Sequence, residues 1–253
     1  MLLTNYFGKP QMLEGVGEVY PISVLEWETF RPLAERFLLI SYDLLQKRFK
    51  VPKDVKLLDA LIQMVLSCEN ESDRTFHFKQ LELLFSLTLH VPIKGYYDTK
   101  ENQWLFLDSS QKVCLHRDNY DAWRTIVMNQ NLLYEPLIVE DERVQSDIDK
   151  AFLRMGSKEE SSIESILAYV SCFKGMKPTD LADYTYYQLR CDYEMCQRMD
   201  LSNASHLYLA QGGKGTVPSI ASPLSIHENP FSMDKIFKKV SADRDGQLNN
   251  LMK

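Results

Sequence analysis

Apolar positions in the first ninety residues recur mainly at helical spacing, after one short alternating stretch. Gln11-Met12-Leu13 and Glu18-Val19-Tyr20 flank Glu14-Gly15-Val16-Gly17. Two short apolar runs around a Gly-bearing turn predict a β-hairpin. Trp27, Phe30, Leu33, Ala34, Phe37, Leu38, Leu44 and Leu45 then predict one helix, with Thr29 as N-cap so that Pro32 falls in its first turn. Val51-Pro52 ends it. A second helix, capped by Asp54, carries Val55, Leu58, Leu61, Ile62 and Val65 on one face. A third, opened by Ser72 or Asp73, turns Phe78, Leu81, Leu84, Phe85 and Thr88 inward.

From Val91 the period shortens. Ile93 to Tyr97, Gln103 to Asp108 and Lys112 to His116 are rich in β-formers, with turn residues between them. They predict an antiparallel meander over Ile93–His116. Asp118 then caps a helix carrying Trp123, Ile126 and Val127. After a break at Glu135-Pro136, three more helices are expected. One runs from Glu142 to Met155 and stops at Gly156. One opens on the capping box Ser161-Ser162-Ile163-Glu164 and ends near Gly175. One runs from Thr179 to about Asp200. Beyond Gln211-Gly212-Gly213-Lys214-Gly215 the periodicity fades, leaving Phe231, Ile236 and Phe237 as apolar anchors. That composition predicts a tail that is flexible alone and orders on a partner.

The predicted fold is therefore α+β and predominantly α-helical: an N-terminal β-hairpin, a helical body, a small antiparallel β-meander and a flexible C-terminal tail. The expected organisation is an N-terminal α+β region over 1–135, a C-terminal helical region over 136–212 and a mobile tail over 213–253.

The expected Thr179–Asp200 helix is unusually apolar. Leu181, Ala182, Tyr184, Tyr186, Leu189, Cys191, Tyr193, Met195, Cys196 and Met199 cover an arc of roughly 220°, well beyond the stripe of a one-sided surface helix. Two readings fit: a central core helix, or a helix with one face toward the body and a docking flank carrying Tyr186, Tyr187 and Tyr193. Asp192 falls inside the arc, and a buried carboxylate calls for a Lys or Arg partner.

Composition narrows the function classes. The chain has 253 residues, with 35 Asp and Glu against 29 Lys and Arg, for a net charge of −6. An acidic balance without a basic run argues against nucleic acid and against an anionic membrane surface. The N-terminus lacks the pattern of a signal peptide, and no apolar run reaches transmembrane length. Five dispersed cysteines read as reduced, mostly buried thiols. No phosphate loop, dinucleotide fingerprint, HExxH, nucleophile elbow or EF-hand loop occurs. Gly212-Gly213-Lys214-Gly215 follows a helix instead of a strand and reads as a hinge or C-cap. The sequence thus assigns no catalytic residue, no metal ligand and no cofactor.

Four phrases resemble one family. They are Tyr6-Phe7-Gly8-Lys9-Pro10; Gly17-Glu18-Val19-Tyr20-Pro21-Ile22; Ile126 to Pro136, including Asn129-Gln130-Asn131; and Asp180 to Leu189, including Tyr184-Thr185-Tyr186-Tyr187-Gln188, with Tyr193 and Arg198 following. In this order, with Asn229-Pro230-Phe231 closing, the chain resembles the tail-assembly chaperone-like proteins of phages and prophages of Gram-positive bacteria. The resemblance implies a non-catalytic protein of the host cell cytoplasm. Such a protein binds the helical tape-measure protein, shields its apolar surface and helps recruit tail tube protein. Tyr186, Tyr187, Leu189 and Tyr193 are the expected contacts, with Phe231 and Phe237 as secondary anchors. The Ile93–His116 meander has no clear part in that scheme. A virion component of the neck or baseplate, an accessory protein acting on a host defence protein, and an enzyme with a dispersed site joining Asp192 to a His remain as alternatives.

Overall fold

The computed structural model describes residues 2–52, 54–139, 141–146, 148, 150, 162–227 and 229. The chain opens with a short helix α1 (Leu2–Tyr6) and the antiparallel hairpin β1 (Gln11–Leu13) and β2 (Gly17–Val19). Gly15 and Gly17 adopt φ of +78° and +116°, the left-handed backbone that the turn requires. Helices α2 (Trp27–Phe37), α3 (Tyr42–Phe49), α4 (Leu57–Leu66) and α5 (Glu71–Leu89) follow. Then come β3 (Lys94–Asp98), β4 (Gln103–Leu107), β5 (Val113–Leu115) and helix α6 (Tyr120–Gln130). Residues 142–146 are helical, and the rest of the expected Glu142–Met155 helix lies almost wholly outside the described residues. Helices α7 (Ile163–Lys174) and α8 (Tyr186–Ala210) complete the fold, with short 3-10 turns at Pro178–Leu181 and Ser225–His227.

The fold is thus α+β and mainly helical, with the expected hairpin and an antiparallel sheet of order β3-β4-β5. The expected tail past residue 227 lies almost wholly outside the described residues, and with it Phe231 and Phe237.

The main core lies between α2, α4, α5 and α6, around the fully buried Phe30, Phe37, Phe85, Tyr120 and Trp123. Edge-to-face contacts join Phe85 to Phe106 at 4.6 Å and to Trp123 at 4.9 Å between centroids. The sheet is fixed to α5 by Phe78, whose ring lies 4.8 Å from that of Trp104. A Cβ at Gly95 would come within 2.6 Å of that Phe78 ring, so β3 needs glycine where it passes α5. A second, smaller core holds Val24, Ile166, Val170, Leu181 and Leu189 between α7, α8 and the chain before α2.

Helix starts differ from the expected caps: α4 opens after Lys56 in place of Asp54, α5 after Asn70 in place of Ser72 or Asp73, and α6 after Asn119 in place of Asp118. Three further boundaries differ. The expected single helix from Thr29 to Leu45 is two helices, because Arg124 from α6 donates Nε to the carbonyl of Leu38 at 2.9 Å and Nη2 to those of Leu38 and Ile40. Those acceptors lie at the break between α2 and α3, and Ser41 Oγ accepts from Leu44 N to restart the helix. Next, α2 begins at Trp27, ahead of Thr29, which places Pro32 in the helix interior. Last, the expected Thr179–Asp200 helix is a 3-10 turn followed by α8. Thr185 and Gln188 form a reciprocal capping box at the start of α8. No glycine or proline occurs from there to Gly212, so the helix continues to Ala210.

Candidate functional site

The start of α8 is held by the same phrases that carry the family resemblance. Thr185 pairs with Ser23 as an antiparallel bridge. On either side Val24 N donates to Tyr184 O at 2.7 Å and Tyr186 N to Ile22 O at 3.2 Å. Gln188 Nε2 donates to Tyr6 O at 2.9 Å. Gly8, at φ +63°, sits so close that a Cβ there would lie 3.1 Å from Gln188 Oε1 and 3.2 Å from Thr185 Cγ2. Asn131 is fully buried. It accepts from Ile22 N at 3.1 Å and donates to Val127 O at 2.8 Å. Asn5 Nδ2 reaches Asn129 O at 3.2 Å. These residues, far apart in sequence, form one junction that seats the α7–α8 pair on the body.

This junction corrects the expected docking flank. Leu189 is 0% exposed in the second core, and Tyr187 is 2% exposed. Neither presents a surface to a partner in this conformation. Tyr186 stacks on Trp27, and Tyr193 meets Tyr169 edge to face at 5.5 Å. Leu181, Ala182 and Tyr184 of the expected arc precede α8, and α8 itself buries Tyr187 and Cys191 on one side and Leu189 and Cys196 on the other. Asp192 finds the expected cation: Lys174 Nζ lies 2.6 Å from its Oδ2. That carboxylate is joined to a lysine of α7, and no histidine contact accompanies it among its hydrogen bonds and ion pairs.

The outer half of α8 is different. From Met199 to Ala210 it is mostly exposed, with Leu201 at 55%, Leu207 at 67% and Tyr208 at 58%. Leu201 and Tyr208 are seven residues apart and share a face. Glu194, Arg198 and Ser205 lie along the neighbouring edge of that face. Here the chain returns. Ser225 N and Ile226 N donate to the two oxygens of Glu194 at 2.7 and 3.0 Å. Arg198 donates to the carbonyls of Ser222 and Pro223 and, at 2.6 Å, to Glu194. Tyr134 Oη donates to Ile226 O at 2.8 Å. A cleft of about 350 Å³ lies between Ala204, Ser205, Tyr208 and Leu209 and the returning residues Lys214, Gly215 and Thr216. The sequence reading missed this strip because it closed the helix near Asp200. The lack of any helix breaker before Gly212 was the available signal.

A separate cleft of about 660 Å³ opens between α4, the β3–β4 hairpin and the chain before α6. Its charged groups are engaged with one another. Arg117 bonds Gln103 and the carbonyl of Glu101 and lies 3.7 Å from Asp59, while Lys56 lies 3.6 Å from Asp118. Burial pushes the Asp59 carboxyl up, against the pull of Arg117.

The three buried thiols are not poised for nucleophilic work. All five are free, and Cys114, Cys191 and Cys196 are buried, whereas Cys172 is exposed. Burial raises all three buried thiols, Cys191 to about 12, the opposite of what an activated cysteine needs. Among the described residues, no group of three or more His, Cys, Asp or Glu is placed to hold a metal ion, and no helix is long and apolar enough to cross a membrane. Comparison with known proteins returns no match: no family model, no curated protein and no solved structure corresponds to this chain.

Proposed function

We propose that the protein is a non-catalytic tail-assembly chaperone that holds apolar helical segments of a phage tape-measure protein on the outer half of α8. The observation that carries this reading is the exposed pair Leu201 and Tyr208, one helical face of a segment that stands largely clear of the body. Ser202, Asn203, Ser205 and His206 are weak helix formers, so propensity alone does little to hold this end helical. Docking a partner helix against Leu201 and Tyr208 supplies the missing packing. The four phrases of the family resemblance support the same reading, now as the joint that aims α8 outward.

The partner is an amphipathic helix, since a helix laid along α8 buries a continuous apolar stripe. Leu3, Tyr6 and Phe7 form a second exposed apolar group beside the start of α8. The test is co-expression with the neighbouring tape-measure protein, comparing wild type with Leu201→Asp/Tyr208→Asp. The chaperone reading expects the wild type to keep the tape measure soluble and the double variant to lose it while remaining folded. A tape measure that aggregates beside folded wild-type protein overturns the reading.

A further inference from the structure

The returning segment is gripped in an unusual way. Most of the hydrogen bonds that Glu194 and Arg198 make to it go to its main chain: two consecutive carbonyls, Ser222 and Pro223, then two consecutive amides, Ser225 and Ile226, with the Ser225 side chain adding one to Glu194. The two side chains are only 13% and 19% exposed and are themselves paired, so the acceptor and the donor are held in fixed positions. Charged groups aimed at main-chain atoms read the shape of a peptide more than its side chains. Leu224 and Ile226, two residues apart, are half-buried.

We infer that Glu194 and Arg198 form a receptor for the main chain of a short turn-forming segment, occupied in cis by Ser222–Ile226, whose last two residues begin a 3-10 turn, and that a turn segment flanking the partner's helix enters by displacing it. The inference rests on the binding role proposed for α8, because Leu201 and Tyr208 border the receptor on the same side of the helix. A partner lying on those two residues next meets the strap.

The connection permits the exchange. The helix rises roughly 18 Å from Arg198 to Ala210. Residues 211–221 can span roughly 36 Å when extended. The linker therefore has slack, and its glycines at 212, 213 and 215 allow it to swing. Releasing the strap breaks the contacts to Glu194, Arg198 and Tyr134 and leaves the cap of α8 at Thr185 untouched. The same tether keeps the strap at an effective concentration in the millimolar range, so a free peptide competes poorly until the cis contact is weakened.

The test uses the full chain and a fluorescein-labelled peptide of residues 219–229. Ser225→Pro removes both the N–H and the hydroxyl that bond Glu194 and leaves the receptor intact. Fluorescence polarisation is expected to show that Ser225→Pro protein binds the labelled peptide at least about tenfold more tightly than wild type. Adding Arg198→Met should remove that gain. Equal binding by wild type and Ser225→Pro, with unchanged helical circular dichroism, overturns the receptor. So does a gain that survives Arg198→Met. Tape-measure capture is scored separately: its loss with peptide binding intact overturns the chaperone reading alone, and its persistence without peptide binding overturns the receptor alone.

Discussion

The indole of Trp27 lies flat on the ring of Tyr186, with centroids 3.6 Å apart and planes within 7°. Trp27 opens α2 and Tyr186 opens α8, so the two helices start from one stacked pair. The bridge between Ser23 and Thr185 lies one residue before Tyr186 and four before Trp27. Replacing Tyr186 by Ala should remove the stack and leave a void beside Trp27. The expected loss is about 2–4 kcal/mol in urea unfolding. Tyr186→Phe should cost much less, which separates packing from any role of the hydroxyl.

Asn131 gives a second test of the junction. Its amide satisfies Ile22 N and Val127 O from a fully buried position. Asn131→Leu leaves the Ile22 amide without that acceptor, and the expected cost is about 2–3 kcal/mol. The loss should appear as faster hydrogen exchange at Ile22.

Arg124 is a third. It is buried, and it holds the carbonyls of Leu38 and Ile40 while pairing with Glu135. Arg124→Met keeps most of the volume but leaves those carbonyls unmatched. A loss of about 3 kcal/mol or more is expected. The hinge between α2 and α3 should become the first place where protease cuts.

These residues also show where sequence reading succeeds. The hairpin turn was legible because Gly15 and Gly17 are needed for a local backbone shape, and Gly175 closes α7 at φ +65° for the same reason. The break at Leu38 was not legible, because its cause is a guanidinium from α6 and nothing in the local sequence breaks the period. The start of α8 was missed because Thr179 and Thr185 are both plausible caps, and the choice is made by pairing with Ser23. The wide apolar arc leaves two readings open, a core helix or a docking flank at Tyr186, Tyr187 and Tyr193, because periodicity cannot distinguish burial by the same chain from burial by a partner; the structure buries Tyr187 and Leu189 within the chain. The strap left little signal: most of its contacts are to main-chain atoms, and only the Ser225 side chain adds a bond to Glu194.

Alkaline pH should loosen the α7–α8 pair. Burial raises the Tyr187 hydroxyl to about 12. Burial together with Asp200 does the same to Tyr169. Burial would lower the Lys174 ammonium, but Asp192 and Tyr184 outweigh it and hold that group above its ordinary value. For all three, the folded chain keeps its protons at a pH where the unfolded chain has lost them. The stabilisation is complete below about pH 10 and declines as pH rises toward 12. Tyrosine absorbance followed with near-ultraviolet circular dichroism should show the decline. Lys174→Met should remove part of the dependence.

Acid should act on the strap. Burial alone would raise the Glu194 carboxyl, but the amides of Ser225 and Ile226 and the Arg198 guanidinium together outweigh it and hold the group below the ordinary glutamate value. A depressed folded value means that the contact is fully stabilising above the unfolded glutamate value near 4.5 and weakens as pH falls through the lower, folded one. Protonation neutralises the acceptor of both amides, so the strap should leave α8 while the junction at Thr185 and Gln188, which carries no titrating group, stays closed. Amide exchange followed by NMR between pH 5 and pH 3 is the direct measurement. Ser225 and Ile226 should lose protection together, ahead of Tyr186 and Leu189. In Glu194→Gln protein the two strap amides should be less protected already at pH 5 and show little further change down to pH 3. If all four amides open at one pH in the wild type, Glu194 is not the group that holds the strap.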